Sequence, residues 1–144
     1  VILPSEAVLN NDLAAKLKET TAVSKFIYDA DPAVIKADLL AELSFLTKTA
    51  LVSKGKTTLF TSLKLVESPF FIHRFTVLGT CEFEQKEMID SLKELHAGLV
   101  VLRYPVDPQE YWKIRATFEK QLRGVKPVHL FKVGEKAVIC EELG

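Results

Sequence analysis

Cysteine is scarce: Cys81 and Cys140 are the only two in 144 residues, and no C-x-x-C pair occurs. That removes a zinc framework and a thioredoxin-type redox motif. Charge of one sign is also lacking. Nineteen basic and nineteen acidic residues give zero formal net charge, whereas a domain that lives on nucleic-acid backbone ordinarily carries a basic surplus. No uncharged stretch approaches the roughly 20 residues that cross a bilayer as a helix. Glycine and proline, six of each, are too few for a collagen or a low-complexity chain. Two cysteines without a disulfide pattern fit a reducing compartment such as the cytoplasm. Val1 stands where a start methionine would be, which leaves a removed targeting segment open.

What is present is an ordinary globular mixture. A chain of this length buries roughly two thirds of its unfolded surface and needs no metal or disulfide staple. No linker or repeat divides it, so one domain over 1–144 is expected, mainly helical over 1–55 and built of sheet with two helices over 56–144. Mean hydropathy of +0.14 and nine phenylalanines leave apolar surface for a partner to cover.

Leu9, Leu13 and Leu17 recur every four residues and predict an N-terminal helix. Residues 22–28 fit a helix continuation or a short strand, and periodicity does not decide between them. Asp31-Pro32 is a helix start: the carboxylate caps free amides, and proline at the first position has no amide to leave unpaired. Ile35, Leu39, Leu43, Leu46 and Ala50 then form one stripe, predicting a helix that ends near Gly55. Alternation over 57–66 and 70–78, separated by Glu67-Ser68-Pro69, predicts an antiparallel hairpin. A helix is expected over 82–97, stopped by Gly98. A buried strand follows at 99–104, its direction in the sheet left open. Asp107-Pro108 is read as a second capped helix start, with Gly124 as the stop. Residues 128–133 and 136–140 flank Gly134-Glu135, a two-residue turn of type II′. Together these predict an α+β fold: a mixed sheet of about five strands, two hairpins plus one central strand, with helices mainly on one face and extra helices at the N-terminus.

Residues 50–58 contain Gly55-Lys56-Thr57 and imitate a phosphate-binding loop. That loop requires a strand before it and a helix after it. Here a helix is expected before and an alternating strand after, so Gly55 is read as a helix C-cap and no nucleotide is expected. Cys81 is the weak candidate nucleophile, placed where a strand hands over to a helix whose N-terminus would lower a thiol pKa. His73, along the preceding strand, is its candidate base. Against the pair stand Glu82, Glu84 and Glu87, which raise a thiol pKa, and the habit of free cysteine to be buried. His73, His96 and His129 show no metal-ligand spacing, so no metal and no cofactor are expected.

Lys113, Arg115, Lys120 and Arg123 crowd the last helix beside Trp112, which lies one residue off the apolar stripe of Tyr111, Ile114, Phe118 and Leu122. These five are the candidate binding residues. The favoured reading is a non-catalytic interaction or assembly domain that meets a protein partner or copies of itself through an apolar surface. The alternatives are a small thiol enzyme at Cys81 and a nucleic-acid-binding domain using the basic face of 108–123.

Overall fold

A computed structural model describes residues 1–2, 8–9 and 16–144. The chain divides into two compact units, 1–75 with 143–144 and 76–142.

In the first unit the undecided stretch is a strand, β1 (Phe26–Ala30). Asp31 then caps α1 (Pro32–Lys36) as its sequence predicts: Oδ1 accepts from the Ala33 amide at 2.9 Å, with Pro32 in the first turn. The expected single helix from Pro32 to Gly55 does not form. Asp38 adopts φ 55°, which turns the chain, and α2 (Leu40–Thr47) begins afresh with Lys48 left-handed at its C-cap. The new phase leaves Phe45 and Leu46 more than half exposed while Val34, Leu39, Leu40 and Leu43 are buried. Ala50, assigned to the helix by its stripe, begins β2 (Ala50–Ser53).

Strand β3 (Leu59–Ser62) pairs antiparallel with both β1 and β2, for example Ile27↔Thr61 and Leu51↔Phe60. The expected hairpin of 57–66 with 70–78 is therefore corrected, because β3 spends both of its edges on β1 and β2. Tyr28, Leu43, Leu51, Phe60 and Phe71 form the core, with the Tyr28 and Phe71 rings stacked at 4.6 Å. Most of the predicted N-terminal helix falls on residues 3–7 and 10–15, outside the described residues. The described Lys18–Thr20 stretch is extended and bonds to Leu51 through Leu51 N to Lys18 O and Thr20 N to Leu51 O.

β4 (Phe71–Glu82) runs on into the second unit. There α3 (Gln85–Glu94) precedes β5 (Ala97–Leu102), α4 (Tyr111–Glu119) follows, and β6 (Lys126–Val133) and β7 (Lys136–Leu143) complete the chain. β5 and β6 are parallel and are joined by α4, a β-α-β crossover. β6 and β7 are the predicted hairpin, with Val133 opposite Lys136 across the Gly134-Glu135 turn and Gly134 at φ 60°. Met88, Ile89, Leu92, Val100, Phe118, Leu130 and Ile139 build the core.

The two glycines read as helix stops do something else. A side-chain carbon on Gly124 would overlap the His96 carbonyl, and one on Gly98 would overlap the Gly124 carbonyl. They permit the backbone after α3 and the backbone before β6 to touch. The left-handed residue after α3 is His96, at φ 59°. Asp107 caps a turn rather than α4 itself: its Oδ1 accepts from the Gln109 amide at 2.9 Å, and the helix begins four residues on at Tyr111.

One mixed sheet of seven strands results, ordered β2-β3-β1-β4-β7-β6-β5, with four helices among the described residues. The count of about five strands is overturned by β1 and β2, whose sequences carry no clean alternation. No helix among the described residues is long and apolar enough to cross a membrane.

Candidate functional site

Helix α4 buries Phe118 and half-buries Tyr111 and Ile114, so the 100° step of the helix turns Trp112 outward. Trp112 is 70 % exposed, the largest side chain left so open among the described residues. The ring sits edge-on to Tyr111 at 5.3 Å, and the Arg115 guanidinium lies 5.1 Å from its centroid. That cation is spoken for: Arg115 Nε donates to Glu119 Oε1 at 2.7 Å, one helical turn away. Burial works against the Arg115 charge, but the bonds to Glu119 and Tyr111 outweigh it and hold its pKa above the ordinary arginine value. Arg115 therefore backs the indole and is not a free anion ligand.

Lys113 is exposed on α4, and Lys120 and Arg123 are exposed on the chain just past its end at Glu119. Arg123 also lines a cleft of about 580 Å³ with Lys93, His96, Gln121 and Gly124. Sequence reading missed Lys93 and His96 as neighbours of this face. The close approach of the chain at Gly124 joins them, and spacing along the chain carries no sign of it.

The thiol candidate fares differently. Cys81 lies inside β4, and α3 begins four residues later, so no helix N-terminus acts on its sulfur. His73 stands eight residues back along the same strand, about 26 Å by strand rise, with Nδ1 3.2 Å from Asp29 Oδ2. Cys140 is buried in β7, and burial drives its thiol pKa far up. His129 Nδ1 accepts from Arg103 Nε at 3.0 Å, and its Nε2 lies 3.6 Å from Glu142. Among the described residues no group of three histidine, cysteine or acidic side chains could hold a metal ion.

Gly55-Lys56-Thr57 also changes meaning. It is not a helix C-cap: it connects β2 to β3, with Gly55 at φ 112° and Ser53 Oγ donating to the Thr57 carbonyl at 2.9 Å. A strand does precede it, but a strand also follows, so no helix N-terminus faces the loop.

No family model matches the chain, and no curated protein matches it. A solved structure does: the crystal structure of a "putative methyltransferase" from Porphyromonas gingivalis W83, with a TM-score of 0.63 at 14 % identity. The match covers 96 % of this chain and 37 % of that one, so this chain spans little more than a third of the other's length. At that identity the likeness is one of fold.

Proposed function

We propose that this chain is a binding module within a methyltransferase-type protein, and that the outer face of α4 is where it meets a polyanionic macromolecule. The observation that carries the reading is Trp112, 70 % exposed on α4, with the Arg115 guanidinium over its ring and the exposed Lys113, Lys120 and Arg123 within eleven residues of it along the chain. Tryptophan is the residue type most enriched among the anchors that a partner buries. The cations decide what covers it. Self-association through a two-fold axis sets a patch against itself, and here that would oppose like charges. A single strand of nucleic acid offers both halves of the complement, bases to stack on the ring and phosphates for the cations. The fold likeness supports the wider frame: a protein of that kind has room, outside the part this chain matches, for a separate catalytic domain.

Trp112 is the only tryptophan, so its fluorescence reads this face directly. Titration with a single-stranded oligonucleotide should quench it. Three phosphate contacts predict a slope of log K against log salt of about −2. Trp112→Ala should weaken binding by about 2 kcal/mol while leaving the urea midpoint in place. No quenching by the oligonucleotide, together with a doubled mass in light scattering that Trp112→Ala abolishes, would replace this reading with self-association.

A further inference from the structure

The first unit holds a cleft of about 560 Å³ that the α4 reading leaves unexplained. Its lining among the described residues joins Lys18, Lys48 and Lys64 to the apolar Ala50, Leu63 and Val66 through serine and threonine hydroxyls. No carboxylate is in that lining, in a chain whose acidic and basic residues are equal in number. The selection has a local cause. The Lys18 carbonyl accepts from the Leu51 amide and the Thr20 amide donates to the Leu51 carbonyl, in extended conformation, so the Lys18 and Thr20 side chains fall on one face and Glu19 falls on the other.

The walls are held in place. Thr61 Oγ1 accepts from the Ser24 amide and donates to the Phe26 carbonyl, both at 2.7 Å. Ser44 Oγ donates to the Thr49 carbonyl at 2.6 Å and accepts from the Lys18 amide. The buried Tyr28 hydroxyl accepts from the Val66 amide at 2.9 Å and meets Ser62 Oγ at 2.7 Å, pinning the 62–66 turn that carries Leu63 and Lys64. Lys48 sits at φ 56°, ψ 41°, a conformation that glycine or asparagine takes at lower cost. Lys48 is the third lysine of the lining. Three like charges around one concavity repel one another, and among the described residues none of the three forms an ion pair.

We propose that this cleft binds a phosphomonoester with an apolar body, of which a nucleoside monophosphate is the type. Lys18, Lys48 and Lys64 would take the phosphate and Ala50, Leu63 and Val66 the body. The volume lies in the range of small-molecule sites. Each ammonium supplies a charge-assisted hydrogen bond, so loss of one should weaken binding about tenfold.

The test is NMR titration of the whole chain with adenosine monophosphate, inorganic phosphate and adenosine. The monophosphate should shift the Thr20, Ser24, Lys48 and Ser62 amides at sub-millimolar concentration. Inorganic phosphate should move the same amides more weakly, and adenosine should leave them in place. Lys48→Asn keeps the left-handed cap and removes only the cation, and Lys18→Gln alters an exposed side chain. Each should cut affinity about tenfold, with unchanged circular dichroism. Equal shifts by adenosine and its monophosphate, no shifts at millimolar monophosphate, or affinity unchanged in either Lys48→Asn or Lys18→Gln would overturn the proposal.

Discussion

Replacing Tyr28 by phenylalanine removes one oxygen from the centre of the first unit. Tyr28 is fully buried, and its ring stacks on Phe71 whether or not the hydroxyl is there. Ser62 Oγ donates to the Lys64 carbonyl at 2.7 Å, so at the 2.7 Å contact with Tyr28 it must accept. The Tyr28 hydroxyl has one proton, given to Ser62, and a lone pair that takes the Val66 amide at 2.9 Å. Its 3.4 Å approach to the Lys64 carbonyl is then not a second donation. The result is one relay, Val66 N–H to Tyr28 O–H to Ser62 O–H to Lys64 C=O. Tyr28→Phe deletes two of its bonds, worth about 1 kcal/mol each. The half-buried Val66 amide regains water in part, which keeps the loss near about 2 kcal/mol rather than the full desolvation penalty. For a chain of this length that lowers Tm by about 4–8 °C. Urea denaturation measures the first figure and hydrogen exchange at the Val66 amide tests its cause. The exchange should accelerate there more than at the Ile27 amide in the middle of β1. A loss below about 0.5 kcal/mol with unchanged Val66 exchange would refute the relay and, with it, the account of what holds the 62–66 turn.

Gly124→Ala places a methyl group on the His96 carbonyl, a backbone atom that cannot swing away, and should cost about 3 kcal/mol or more. Gly134→Ala, which meets no atom, pays only for its φ of 60° and should cost about 1 kcal/mol. Equal losses for the two would contradict the close approach after α3. Burial raises the Cys140 pKa, so the unfolded chain loses this proton first as pH rises. Its contribution is intact below about pH 8.5 and then declines by about 1.4 kcal/mol per pH unit until the folded thiol itself ionises. The difference between the wild-type protein and Cys140→Ala across pH 8 to 10, from urea midpoints, isolates that slope. A pH-independent difference would mean that Cys140 is not buried as a neutral thiol.

Features that depend on a few neighbouring residues were legible in the sequence. The Asp31 cap, the Gly134-Glu135 turn, the β6–β7 hairpin and the outward turn of Trp112 rest on side-chain chemistry or periodicity within one or two helical turns. Their energies are spent locally, so local reading finds them. Tertiary structure decided the rest. Ala50 continued an apolar stripe at helical spacing, yet it became strand because β3 offered Thr61 and Phe60 as partners to Ala50 and Leu51. β1 has no decisive alternation, since Ile27, Tyr28 and Ala30 are all buried, and pairing to β3 settled it. Cys81 lost its helix start because β4 extends through Glu82. The cleft of Lys18, Lys48 and Lys64 was invisible for the same reason: its cations come from three segments that meet only through pairing across the sheet. A β-strand's stability lies with distant partners, and a sequence shows its residues in order without saying which of them will be adjacent.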